Sequence, residues 1–262
     1  MGLAFTEQGN TENPSVVFIH AFPLNRKMWK YQVEGLSQSL HVLAPDLPGF
    51  GESPILQKNP SMTAYAESIK NFLLEKKIHK AVFMGCSMGG YVLFEIFRQY
   101  KEMVAGLILC DTRPQADTPE ARVQRMETID YVRVNGIRSL AEKMLFSLLC
   151  LETTGQTPEK VDEIKEIILS NSTEGIIQAL WALASRRDSV ELLQSIDAPT
   201  LILVGREDVL TPPDLARSMQ NHIKNARLDI IPNAGHLSPY EQPHLVNRSI
   251  RKFLEESNII SR

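Results

Sequence analysis

Between an apolar run at 81–86 and an apolar-periodic run at 91–100, the chain reads Gly85-Cys86-Ser87-Met88-Gly89. That context puts the serine at a tight strand-to-helix turn, with its hydroxyl exposed at a helix N-terminus. Glycines two residues before and two after it are required because side chains there would collide with closely packed backbone. The chemistry this permits is nucleophilic attack by Ser87, provided that a neighbouring base removes a proton that serine does not readily release. A phosphate-cradling turn is the alternative, but the G-x-G-x-x-G and G-x-x-x-x-G-K-[ST] spacings are both missing.

A serine nucleophile needs an imidazole, and the imidazole needs a carboxylate to hold its tautomer. Of the six histidines, His20, His41, His79, His222, His236 and His244, only His236 follows a strand in a Gly-His turn, within IIPNAGHL at 230–237. For the acid, TLILVGRED at 200–208 ends a buried strand on Asp208, at the edge where open α/β sheets keep their sites. Glu207 and the strand-end Asp111 are its competitors. The oxyanion formed on attack needs preorganised donors. Met88 N–H is the first, and Phe22 N–H, in VVFIHAFPL at 16–24, is the second; Pro23 has no N–H and fixes the turn.

Trp29, Trp181 and Arg113 are the candidate substrate contacts. The two tryptophans, with Met126 and Met144, either line an acyl pocket or are plain core. Arg113, Arg186 and Arg187 suit bidentate capture of a substrate carboxylate, or else salt bridges to Asp111 or Asp188.

The elements that must position these groups are visible as short aliphatic or β-branched runs at 15–20, 41–44, 81–86, 104–110, 200–205 and 227–231. Most are continuously apolar, as strands buried on both faces must be. Helical spacing separates them, for example Tyr65, Ile69, Phe72 and Leu73, then Val92, Leu93, Ile96 and Phe97. Alternation of strand and helix predicts an α/β fold with a mostly parallel sheet and helices on both faces. From 113 to 195 the strand signal stops and helix-favouring stretches follow one another, which predicts an all-helical cap insertion. The expected organisation is a core at 1–112, a cap at 113–195 and the rest of the core at 196–262.

With 28 Lys and Arg against 31 Asp and Glu, the net charge is −3. That balance argues against a nucleic-acid partner. Apolar runs such as 104–110 fall short of the ~18 residues that cross a bilayer. Residues 1–9 do not read as a secretory signal. They match a loose myristoylation pattern through Gly2 and Thr6, yet alternate more simply like an edge strand. Three unclustered cysteines, Cys86, Cys110 and Cys150, fit a reducing, cytoplasmic setting. No membrane partner is expected, and the chain reads as a monomer or homodimer.

Taken with HAFPL at 20–24 and Trp29, APDLPGFGES at 44–53, GCSMGG at 85–90, LILVGREDVLTPP at 201–213 and NAGHLSPYEQP at 233–243, the sequence resembles the α/β-hydrolase superfamily. The resemblance is to its capped esterases, enol-lactonases and cofactor-free peroxidase-like members. It covers both flanks of the chain, whereas 113–195 matches mainly in being helical. It implies Ser87, Asp208 and His236 as a triad in the family's order, with Phe22 and Met88 as oxyanion donors. One departure is Ala21, where relatives usually carry glycine. Asp46 and Ser53 read as parts of a rigid loop after a strand. The expected activity is hydrolysis of a small ester or lactone through an acyl-enzyme, without metal or cofactor. The same triad also serves C–C bond hydrolysis, acyl transfer or perhydrolysis, and a slow-turnover ligand-sensing receptor is the non-enzyme alternative.

Overall fold

A computed structural model describes residues 2–57 and 59–260. The first part runs β1 (Phe5–Gln8), β2 (Ser15–Ile19), α1 (Lys30–Leu36), β3 (His41–Pro45), α2 (Met62–Glu75), β4 (Ala81–Cys86), α3 (Met88–Tyr100) and β5 (Val104–Cys110). Four helices follow, α4 (Pro119–Leu148), α5 (Leu151–Gln156), α6 (Pro158–Leu169) and α7 (Thr173–Ala184). The last part runs β6 (Thr200–Gly205), α8 (Pro213–His222), β7 (Ala226–Ile231), α9 (Ser238–Glu241) and α10 (Pro243–Glu256).

The seven strands form one sheet in the order β1-β3-β2-β4-β5-β6-β7. Only β1 runs antiparallel, pairing with β3 at one edge. The other neighbours are parallel. Alternate residues of each strand point to opposite faces, so Val17 and Ile19 pack with α2 and α3, while Val16 and Phe18 pack with α1 and α10. This two-sided burial is why the central strands read as unbroken apolar runs. The far-edge strand β7, half-buried, carries Arg227 and Asp229.

Helical spacing on α2 has the expected consequence: Tyr65, Ile69, Phe72 and Leu73 are buried, and Ser61 caps the helix by accepting from Ala64 N–H at 3.1 Å. In α4 the backbone leaves helical geometry at Gly136, with φ 77°. That break lets the two halves of α4 take different directions over α6 and α7. Buried Asn171, just after α6, fastens the helical segment to the sheet loops. Its Nδ2 donates to Pro23 O and its Oδ1 accepts from Gly51 N–H, both at 2.8 Å. None of the described helices is long and apolar enough to cross a membrane.

Candidate active site

At the end of β4 the chain turns into α3 through Ser87, whose φ of 51° and ψ of −110° lie in a region that side chains rarely adopt. Such a residue costs about 1–3 kcal/mol and persists where its surroundings over-determine it. Here they do. Ser87 N–H donates to Cys110 O at 2.9 Å, while Ser87 O accepts from Gly90 N–H at 2.9 Å and Thr112 Oγ1 at 2.8 Å. A Cβ on Gly85 would lie 2.4 Å from the Gly89 carbonyl carbon, and one on Gly89 would lie 2.2 Å from Ile19 O. Both positions exclude a side chain, so α3 can approach the sheet and the serine is held at its N-terminus.

The turn aims Ser87 Oγ at the loop after β7. Its hydroxyl donates to His236 Nε2 at 2.7 Å. His236 Nδ1–H donates to Asp208 Oδ2 at 2.9 Å, with Oδ1 at 3.1 Å. Asp208 sits after β6 and accepts three further bonds, from Leu210 N–H, Thr211 N–H and Thr211 Oγ1, at 2.8, 2.9 and 2.6 Å. Every lone pair thus meets a donor, which fits a carboxylate kept ionised. Burial raises the Asp208 pKa, but His236 and the Thr211 bonds outweigh it, and the net shift is downward. For His236, burial lowers the pKa, yet the Asp208 charge and hydrogen bond carry it above 6.5.

That direction has a kinetic consequence. Were His236 the base for Ser87, it would have to be neutral to accept the serine proton, and kcat/KM would fall as acid protonates it. The acid limb of a kcat/KM pH profile on a neutral ester is expected to have its midpoint above 6.5. A midpoint below it would contradict the pairing of His236 with an ionised Asp208.

The other acids are placed differently. Glu207 is exposed, and its Oε2 accepts from Ala234 N–H at 3.0 Å, bracing the histidine loop from outside. Asp111 is buried behind the histidine and accepts from Gly205 N–H at 2.8 Å, Ser238 N–H at 3.0 Å and Ser238 Oγ at 2.8 Å. Burial and then the Asp208 charge push its pKa up to about 7. Buried Glu241 joins the same loop to the helical segment, accepting from Gly235 N–H at 2.7 Å and Cys150 N–H at 2.8 Å.

Met88 opens α3, so its N–H has no partner within the helix. Among the described residues Phe22 N–H also donates to nothing in the chain. Both residues line the cavity at Ser87. The loop carrying Phe22 is set by buried His20, whose Nδ1–H donates to Ala21 O and whose Nε2 accepts from Leu47 N–H, both at 3.0 Å. Burial lowers the His20 pKa, which keeps that tautomer neutral. Asp46 and Ser53 brace the neighbouring loop: Asp46 pairs with Arg26, and Ser53 Oγ donates to Asp46 O at 2.8 Å.

The cavity measures about 170 Å³ and has Tyr91, Met144, Leu148 and Leu183 among its walls. Arg113 lines it; Trp29 and Trp181 do not. Trp29 is fully buried against Phe18, at 5.1 Å between ring centroids, on the α1 and α10 face of the sheet. Trp181 lies on α7, 45% exposed. Met126 packs into the core rather than the cavity wall. Arg186 and Arg113 pair with Asp117, and Arg187 pairs with Glu95. Among the residues that the sequence did not single out are Arg125 and Thr211, which line the cavity, and Glu241, which holds the histidine loop. Thr211 had a signal, since a hydroxyl three residues past a candidate acid is placed to bond it. Arg125 had none.

Among the described residues, Cys86, Cys110 and Asp111 bring potential metal-ligand atoms within 4.8 Å of one another. Both Asp111 oxygens are already engaged, and burial raises both thiols, Cys86 to about 11. Protonated thiols beside an occupied carboxylate suit packing rather than ligation.

The family described as alpha/beta hydrolase fold matches residues 14–243. Among solved structures, a thermophilic esterase from Thermogutta terrifontis, with malate bound, is 40% identical with a TM-score of 0.94, covering 97% of this chain and 93% of that one. The AB hydrolase superfamily protein YisY of Bacillus subtilis (strain 168) is 28% identical, covering 91% of this chain and 90% of its own. The 3-oxoadipate enol-lactonase 2 of Acinetobacter baylyi is 23% identical, covering 98% and 95% respectively.

Proposed function

Because the chain belongs to the alpha/beta hydrolase fold family, we propose that it hydrolyses a short carboxylic ester or lactone at Ser87 through an acyl-enzyme. The observation that carries this reading is the unbroken hydrogen-bonded line from Ser87 Oγ through His236 to Asp208, at 2.7 and 2.9 Å.

In the first half-reaction Ser87 Oγ bonds to the ester carbonyl carbon while its proton passes to His236 Nε2. Charge collects on the carbonyl oxygen, where Phe22 and Met88 N–H stabilise it. The C–O bond to the alcohol breaks, and the alcohol leaves with the proton from Nε2. In the second half a water repeats the attack, again giving its proton to His236, and Ser87 takes it back as the acid departs. Asp208 keeps Nδ1 protonated throughout, so that Nε2 faces the serine with a lone pair.

The small cavity favours a short acyl group, since pockets for drug-sized ligands measure about 300–1,000 Å³. Esters of one acid with different alcohols must then share one intermediate. With methanol added, the ratio of methyl ester to free acid is expected to be the same for each leaving group. A ratio that changes with the alcohol would refute the acyl-enzyme.

A further inference from the structure

The cavity at Ser87 is unevenly charged. Arg113, from the loop after β5, and Arg125, from α4, both line it, and no carboxylate does so among the described residues. Both are anchored on Asp117, whose side chain has no solvent exposure. Arg125 Nε donates to it at 3.1 Å and Arg113 Nη2 at 3.4 Å, while Arg186 meets it from behind at 2.6 Å. Burial raises the Asp117 pKa, but Arg125 and Arg186 bring it below the usual carboxylate range. One carboxylate therefore serves three guanidinium groups, and the cluster keeps about two positive charges.

The three arginines are not equivalent. Arg186 is buried with both terminal nitrogens committed, donating to Leu183 O and Gln115 O, both at 3.0 Å, with its guanidinium over the Tyr91 ring. Arg125 commits Nε alone, and among the described residues its Nη1 and Nη2 have no partner. Arg113 commits Nη2 alone, and among the described residues its Nη1 has no partner. Uncommitted planar donors, fixed by a buried carboxylate and facing a cavity that a serine shares, match the geometry of a carboxylate ligand.

Resting on the reading of Ser87 as nucleophile, we propose that Arg113 and Arg125 form a carboxylate subsite and that the substrate class is monoesters of short dicarboxylic acids. The free carboxylate sits on the arginines while the ester carbonyl lies at Ser87. The limited cavity volume sets the chain between them at a few carbons.

The test compares monomethyl succinate with methyl 4-methylpentanoate, which has the same acyl shape without the charge. The expected result is a kcat/KM at least about 10-fold higher for the anionic ester at low salt, declining with ionic strength. In Arg125→Ala, and separately in Arg113→Ala, the anionic-to-neutral ratio is expected to fall by about 10-fold or more. Succinate should inhibit hydrolysis of the neutral ester in the wild type, with a Ki that rises by a similar factor in both variants. A ratio unchanged in both variants, or a wild type that prefers the neutral ester, would overturn the subsite. Ratios and Ki values are read on folded, active protein, so a variant that merely unfolds does not mimic the result. Neutral-ester turnover lost in Ser87→Ala keeps the parent reading intact whichever way the ratio falls; turnover surviving there sinks the parent reading instead.

Discussion

Replacing Ser87 by alanine is expected to lower kcat on a short-chain chromogenic ester by about 10³-fold or more, with the fold preserved. Alanine removes the attacking oxygen and the 2.7 Å bond to His236 Nε2. It leaves the turn itself intact, because the contacts that hold it are made by backbone: Ser87 N–H to Cys110 O, and Ser87 O from Gly90 N–H and Thr112 Oγ1. Alanine tolerates the positive φ no worse than serine does, so Tm should move by only a few degrees. On the proposed mechanism, the activity expected to survive comes from the oxyanion donors and from substrate binding. A variant with near-normal kcat would remove Ser87 from the reaction, whereas loss of both activity and Tm would mean that the substitution had damaged the turn.

Asp208→Asn is expected to cost on the order of 10³ to 10⁴ in kcat, and the mechanism is a tautomer error. All four groups around the Asp208 carboxylate are donors. An amide placed there must turn its NH2 toward one of them. Facing His236, it makes Nδ1 an acceptor, moves the ring proton to Nε2, and so blocks the lone pair that the serine needs. Facing Thr211, it sets donor against donor and displaces the loop. Removing the charge also deprives His236 of the principal influence that raises its pKa, so residual activity should keep an acid limb shifted to lower pH. Asp111→Asn provides the contrast. Its carboxylate touches Gly205 and Ser238 rather than the imidazole, so the expected loss falls mainly on Tm, with kcat kept within about 10-fold. The reverse order, Asp111→Asn crippling kcat while Asp208→Asn spares it, would assign the acid to the end of β5. Glu207→Gln, exposed and able to keep its bond to Ala234 N–H, should leave kcat near the wild-type value.

What could be read from sequence depended on how local its physical cause was. Gly85 and Gly89 announce the turn because the collisions they avoid lie within a strand, a turn and a helix of adjacent sequence. Asp208 and His236 were legible for a related reason: each lies in the loop after a strand, buried β6 for one and half-buried β7 for the other, and parallel strands deliver their C-terminal ends to one edge. The strand-free stretch of α4 to α7 was visible as composition, but its break at Gly136 was not, since glycine is also tolerated in a straight helix. Aromatic type could not place Trp29 or Trp181. The same side chain serves a core or a pocket, and only tertiary packing sends one under the sheet and leaves the other on the surface. Arg125 was beyond reach because its meaning comes from Asp117 and Arg113, brought together by the path of the chain from β5 into α4.

The proposed hydrolysis depends on one oxygen being reactive because an imidazole stands beside it. Incubation with a fluorophosphonate probe, followed by peptide mapping, tests this directly. A single covalent adduct on the Ser87 peptide is expected, formed in step with loss of esterase activity and slowed sharply in His236→Ala. An active preparation that forms no adduct, or forms it on another residue as activity is lost, would contradict it.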